Sequence, residues 1–115
     1  MEGEMPRPAR RVLPATQAAL SALGSQIAVA RREAGWTAAE LAERLGVTPA
    51  LVTRIEKGSP AVAIGTVLDA AVICGVPLFG GGPEKLASVA ARQRDRLALL
   101  PARVRTRPQP VSDEF

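Results

Sequence analysis

Apolar residues along this chain recur three and four positions apart, the spacing of one face of an α-helix. Leu20, Leu23, Ile27, Ala30 and Ala34 predict a first helix from about Thr16 to Ala34, ended by Gly35. Leu41, Ala42 and Leu45 mark a second, closed by Gly46, and Leu51, Val52 and Ile55 a third, stopped by Gly58. A fourth runs from about Ile64 to Cys74, with Ile64, Val67, Leu68, Ala71 and Val72 on one face and Gly75 and Pro77 behind it. Pro83 opens a fifth with the stripe Leu86, Val89, Ala90, Leu97 and Leu100; Arg92, Arg94 and Arg96 are expected to make its other face basic, and Pro101 ends it. No strand stands out in the folded core, so the pattern predicts an all-α protein of five helices.

The polar residues at the helix ends sharpen the central part. Thr37-Ala38-Ala39-Glu40 has the spacing of a capping box, in which Thr and Glu satisfy the orphan amides of a helix start. Thr48-Pro49 offers a side-chain cap followed by a proline at the first helical position. Gly46 supplies the left-handed conformation that a sharp turn between two helices needs. Residues 37–58 therefore read as two short helices joined by a tight turn, the second presented outward.

Three regions follow: a proline-bearing arm over residues 1–15, a helical domain over 16–79, and a glycine joint, helix and tail over 80–115. The tail, ARVRTRPQPVSDEF, reads as irregular or extended and finishes acidic. Gly80-Gly81-Gly82 reads as a flexible joint, because neither a G-x-x-x-x-G-K-[ST] nor a G-x-G-x-x-G pattern surrounds it.

Composition bounds the chemistry. The chain has 115 residues, enough for one domain plus tails, and 3% aromatic content, so Ala, Leu and Val must pack the core. The formal charge is +4 and is uneven: residues 16–79 balance, and the excess lies in the terminal regions, where it attracts phosphates nonspecifically. There is no histidine and one cysteine, Cys74, which leaves no Cys/His zinc site, no histidine-based triad and no intrachain disulfide. Cys74 reads as a small core hydrophobe in a chain suited to a reducing cytoplasm. No signal-peptide or membrane-length apolar run occurs. Glu40 reads as a cap and Glu43 as solvated, so they are not a catalytic pair. The expectation is a non-enzyme without metal or cofactor.

The residues Ile27, Arg31, Gly35, Trp36, Thr37, Leu41, Ala42, Gly46, Val47, Val52, Ile55, Glu56 and Gly58 stand in an order and spacing similar to the XRE-type, lambda-repressor-like helix-turn-helix family. The resemblance covers roughly residues 20–79. It implies a DNA reader whose third helix enters the major groove, with Pro49, Ala50, Thr53 and Arg54 toward the bases and Thr37, Thr48, Lys57 and Ser59 toward phosphates. Arg54 is the strongest base-reading candidate, whereas Pro49 and Ala50 offer only apolar contact, and Ala38 stands where glutamine is common. The resemblance also implies an ion pair between Arg31 and Glu56, and a homodimer on a palindromic double-stranded operator, with helix four and Val76–Phe79 suited to the seam or to closing the monomer core.

After Gly58, the run SPAVAIGTVLDAAVICGVPLF resembles the HipB-like antitoxins of that family, and Val111-Ser112-Asp113-Glu114-Phe115 is similar to their ends. What this implies is a cytoplasmic, nucleoid-associated antitoxin that represses its own operon and holds a HipA-like kinase toxin inactive, with residues 83–115 for partner contacts. A stand-alone regulator, or an interaction module that has lost DNA reading, are the alternatives.

Overall fold

The computed structural model describes residues 11–104, in which five α-helices form. They are α1 (Pro14–Glu33), α2 (Ala38–Leu45), α3 (Pro49–Glu56), α4 (Ile64–Cys74) and α5 (Leu86–Ala98). A 3-10 turn at Pro83–Lys85 leads into α5, so Pro83 opens that turn and not the α-helix itself. Among the described residues the only β-type pairing is an isolated bridge between Leu78 and Gly81. The all-α, five-helix class expected from the periodicity is the class observed.

α1 begins earlier than its apolar stripe suggests. Leu13 is extended and Pro14 takes the first helical position, where a missing N–H leaves nothing unsatisfied. Pro14 and Ala15 thus belong to the helix and not to the arm. Residues 1–10 of the arm and 105–115 of the tail, including Val111–Phe115, lie outside the described residues.

The core is built from one to three residues of each of four helices: Ile27 of α1, Leu41 and Ala42 of α2, Val52 and Ile55 of α3, and Val67, Ala70 and Ala71 of α4, with Val76 beyond it. α1 crosses both α3 and α4, while α2 packs on α3 and α4. Leu23, Trp36, Leu45, Val47, Leu51 and Leu78 seal the edges. Ala34, expected on the inner face of α1, is exposed.

α4 corrects the sequence reading more substantially. Its inner face is Val67, Ala70 and Ala71, whereas Ile64 is 76% exposed and Val72 is 39% exposed. α4 is apolar nearly all round, so spacing alone cannot say which stripe turns inward. The small side chains of Ala70 and Ala71 let the helix axes approach closely, and the bulkier Ile64, Leu68 and Val72 are left toward the outside.

α5 has no buried residue, and Leu97 and Leu100 remain 69% and 64% exposed. Its arginines do not form one face. Arg92 and Arg96, one turn apart, flank the apolar stripe on one side, but Arg94 is two positions from each and projects elsewhere, because residues two apart on a helix do not share a face. The glycines before α5 do not form an open joint either. Leu78 and Gly81 exchange backbone hydrogen bonds of 2.8 and 3.1 Å. Phe79 and Gly80 between them both have positive φ, 53° and 83°, the pattern of a type I′ turn.

Candidate nucleic-acid interface

The two short helices at the centre are set by their ends. Thr37 Oγ1 accepts from the Glu40 N–H at 3.0 Å, and the Glu40 carboxylate accepts from the Thr37 N–H at 2.8 Å, closing a reciprocal capping box on α2. Gly46 ends α2 with φ 72°, and the chain reverses through Val47 into α3. Thr48 Oγ1 accepts from the Leu51 N–H at 3.2 Å, with Pro49 behind it as the first helical residue. Each such cap contributes about 1 kcal/mol, and together they fix where α3 starts.

α3 divides cleanly into two faces. Leu51, Val52, Ile55 and Glu56 turn toward the other helices, while Pro49, Ala50, Thr53, Arg54 and Lys57 are exposed. At 100° per residue these five fall on one contiguous arc of the helix. All four residues expected to meet bases therefore share a single outward face with Lys57. Thr37 and Thr48 are exposed at the starts of α2 and α3, and Ser59 is half-buried beyond Gly58.

The hydroxyl groups differ in what they have left to offer. Thr37, Thr48 and Ser59 all accept a backbone N–H, the last from Ala61 at 3.3 Å, and so each keeps its O–H as a donor. Thr53 is the reverse. Its O–H donates to the Pro49 carbonyl at 3.2 Å one turn back, leaving a methyl group and an acceptor facing outward.

Two devices hold α3 against α1. The first is the Arg31–Glu56 pair. Arg31 Nε and a terminal nitrogen reach the two carboxylate oxygens of Glu56 at 2.7 and 3.1 Å, a two-point contact, and the other terminal nitrogen donates to the Trp36 carbonyl at 2.7 Å. Their side chains are 9% and 12% exposed. The hydrogen bonds that Arg31 donates to Glu56, and then the Glu56 charge, raise the Arg31 pKa further above its ordinary value, against the cost of burial. The guanidinium therefore stays charged.

The second device is a backbone-to-backbone approach that the hydrophobic pattern gives no hint of. A Cβ on Gly24 of α1 would lie 2.5 Å from the Ile55 carbonyl oxygen and 2.6 Å from that of Glu56. A Cβ on Gly58 would lie 2.8 Å from the Ser21 backbone nitrogen. Gln17 completes the seam by donating to the Gly58 carbonyl at 2.9 Å. The end of α3 is thus clamped along the first half of α1. A glycine inside an otherwise apolar helix was the available signal for this contact. Arg44, also outside the expected set, lies over the Trp36 ring at 4.1 Å from its centroid and shields the open side of that indole.

Elsewhere, burial pushes the Cys74 thiol pKa up, with Glu56 adding to it, which suits a packing role better than a reactive one. Among the described residues no group of three or more His, Cys, Asp or Glu is placed to hold a metal ion. No described helix is long and apolar enough to cross a membrane.

The comparisons agree with this geometry. Residues 22–78 match the family model described as a helix-turn-helix domain. No curated protein and no solved structure matches the chain.

Proposed function

With residues 22–78 forming a helix-turn-helix domain of the XRE/Cro-like type, we propose that this protein is a sequence-specific, DNA-binding transcriptional regulator, and that it is not an enzyme. The observation that carries this reading is the divided α3: an inner face locked to α1 by an ion pair and two glycines, and an outer face free to enter a major groove. A rigid element with an uncommitted surface is what groove reading requires. Arg54 supplies the fork that bonds guanine O6 and N7 together. Thr53 offers its methyl group to thymine or its oxygen to a base amino group, and Pro49 and Ala50 add shape without hydrogen bonds. The O–H donors kept by Thr37, Thr48 and Ser59, with Lys57, serve the phosphates.

A single reading helix with so few base donors needs a second one. The functional unit is therefore a homodimer on a palindrome with half-sites about 34 Å apart. The exposed apolar residues of α4, with Pro77 and Phe79 beyond it, supply a surface for its seam. The finer reading is that of a cytoplasmic, nucleoid-associated antitoxin that represses its own operon and neutralises a HipA-like kinase toxin. It is supported by the sequence of residues 59–79 and by the extra helix, which provides a surface beyond the DNA-reading unit.

The test is titration of the full chain with DNA from its own promoter at several salt concentrations. Expected are a salt-dependent shift and its loss with Arg54→Ala in a folded protein. Failure of the wild type to bind any fragment of its promoter would leave a protein-interaction module as the better reading. The antitoxin assignment is tested separately, by whether a kinase-like product of the adjacent gene co-purifies through high salt. An unrelated neighbour would leave a stand-alone regulator.

A further inference from the structure

We infer that the groove between α4 and α5 is a docking site for an acidic amphipathic helix of another protein. α5 packs chiefly on the 3-10 turn that leads into it. Between it and α4 lies an open groove of about 790 Å³, lined by Leu68 and Val72 of α4, Leu78 and Phe79 of the turn after it, and Leu86 and Val89 of α5. A smaller hollow of about 360 Å³, lined by Arg96, Leu97 and Leu100, adjoins it at Gln93. Together they follow α5 from Leu86 to Leu97, roughly 16 Å at 1.5 Å per residue. The apolar surface is therefore long and narrow, a trough for about three turns of helix and not a cup for a compact ligand.

Charge selects the occupant. At about 100° per residue, Leu86, Val89, Ala90, Gln93 and Leu97 share one arc of α5, with Arg92 and Arg96 along one edge and Arg94 along the other. The one acid of α5, Asp95, falls on the opposite side of the helix. Whichever way two copies of α5 ran, their edges would bring arginine against arginine, so charge opposes a second copy on this stripe. A partner with carboxylates on both sides of its own apolar stripe meets opposite charge along both edges. Gln93, in the middle of the stripe, offers it an amide for one polar side chain. An anionic lipid surface also sets acid beside hydrocarbon, but it lacks the shape. Leu86 and Val89 turn into the groove with Leu68 and Val72 across from them. A bilayer surface is too flat to enter there, whereas a helix about 10 Å across is not.

Docking of this kind covers both apolar walls at once. Among the described residues, α5 is a helix of 13 residues with no buried side chain, and such a helix is marginal in water by itself. Val72 and Phe79 also belong to the surface offered to a homodimer, so a helix seated in the groove opposes any seam that includes them. The inference rests neither on DNA binding nor on the antitoxin assignment, and its test uses neither.

The test titrates the full chain, 13C-labelled at the methyl groups of Leu and Val, with a synthetic stapled helix of about three turns. The probe carries leucines at i, i+3 and i+7 with glutamates on both flanks, and its isomer carries lysines in place of the glutamates. Expected are saturable shifts at Leu68, Val72, Leu86 and Val89, and an affinity for the acidic helix at least about tenfold above that for the isomer. R92Q/R94Q/R96Q, which keeps good helix formers, should cut that preference to about twofold or less, with circular dichroism verifying that the helices remain. R54A/K57A should leave it unchanged, because those residues lie on α3. Equal affinity for the two peptides, no saturable shift, or shifts centred on α3 would each overturn the docking site. The same methyl shifts on raising chain concentration alone would overturn it in favour of a second copy. Binding of phosphatidylglycerol vesicles through these residues, with no response to the acidic helix, would overturn it in favour of a membrane surface.

Discussion

α1–α4 and α5 carry apolar stripes of the same spacing, yet only the first set is buried. In α1–α4 every stripe faces another, and Ile27, Leu41 and Val52 are fully covered where they meet. Two non-hydrophobic devices, the Arg31–Glu56 pair and the Gly24–Gly58 seam, then fix the relative placement of α1 and α3. α5 has a stripe of equal quality, no such device, and no buried residue. The contrast separates two things that periodicity mixes together. Spacing says that a helix has an apolar face, but only a complementary surface, with backbone approach or a paired charge to set its register, turns that face into a core. Stability should therefore be concentrated in residues 14–78, and the α5 surface should respond to partners instead of to folding.

The strongest way to break this contrast is at Arg31. Replacing it with Ala leaves the Glu56 carboxylate nearly buried without its cation, and the Trp36 carbonyl without its donor. The expected cost is about 3 kcal/mol in denaturant unfolding. A midpoint unchanged from the wild type would mean that the pair does not hold α3. The pH dependence has a definite sign. A cation whose folded pKa is raised stabilises fully below its unfolded pKa and loses that contribution only as pH rises through the folded value. The window for Arg31 thus lies above the ordinary arginine range. Between roughly pH 6 and 10, deprotonation of Arg31 should contribute no loss of stability.

Gly24→Ala tests the second of the two devices. The new methyl group meets two backbone carbonyl oxygens, which cannot rotate aside as a side chain would. α1 must lift from α3, at about 2 kcal/mol. Because α3 then loses its seat, promoter affinity should fall in the same variant even though Gly24 is nowhere near the outer face. A Gly24→Ala protein as stable as the wild type would remove the seam from the account. Gly65, where an added Cβ meets nothing within 4 Å, is the internal control.

These residues also mark how far the sequence could be read. Helix number, the caps at Thr37 and Thr48, and the turn at Gly46 were legible because each depends on residues close together in the chain. The outer face of α3 was legible as well, since a helix with a known inner stripe has a known outer one. What was not legible depends on contacts between distant segments. The inward choice of Ala70 over Ile64 on α4 is decided by how close two axes come, not by hydrophobicity. Gly24 looks like a weak point in α1 until the carbonyls of Ile55 and Glu56 are placed against it. The glycine run after Phe79 looks like a joint until Leu78 and Gly81 are found hydrogen-bonded to each other. The lack of cover on α5 among the described residues was hidden for the same reason.

The contrast is sharpened further by separating stability from reading on α3 itself. Arg54→Ala removes an exposed side chain and should shift unfolding by less than about 0.5 kcal/mol. Its effect should appear in affinity for promoter DNA, at roughly tenfold, or about 1.4 kcal/mol. A large unfolding effect with unchanged affinity would reverse the roles assigned to the two faces.

The smallest expected effect is the one that bears most directly on the two stripes. Leu97→Ala and Leu41→Ala delete the same atoms from helices of similar pattern, but Leu41 is 0% exposed and Leu97 is 69% exposed. Deleting Leu41 opens a cavity where α2 packs on α3 and α4 and should cost about 3 kcal/mol. Deleting Leu97 removes little buried area and should cost less than about 0.5 kcal/mol in dilute protein. The comparison should be repeated over a range of protein concentrations. A cost at Leu97 that stays small throughout means that the stripe is open in the chain by itself. A cost that grows with concentration means that a second copy covers it. A cost near that of Leu41 at every concentration means that the α5 stripe is already packed within one chain, and the division drawn between α1–α4 and α5 would then fail.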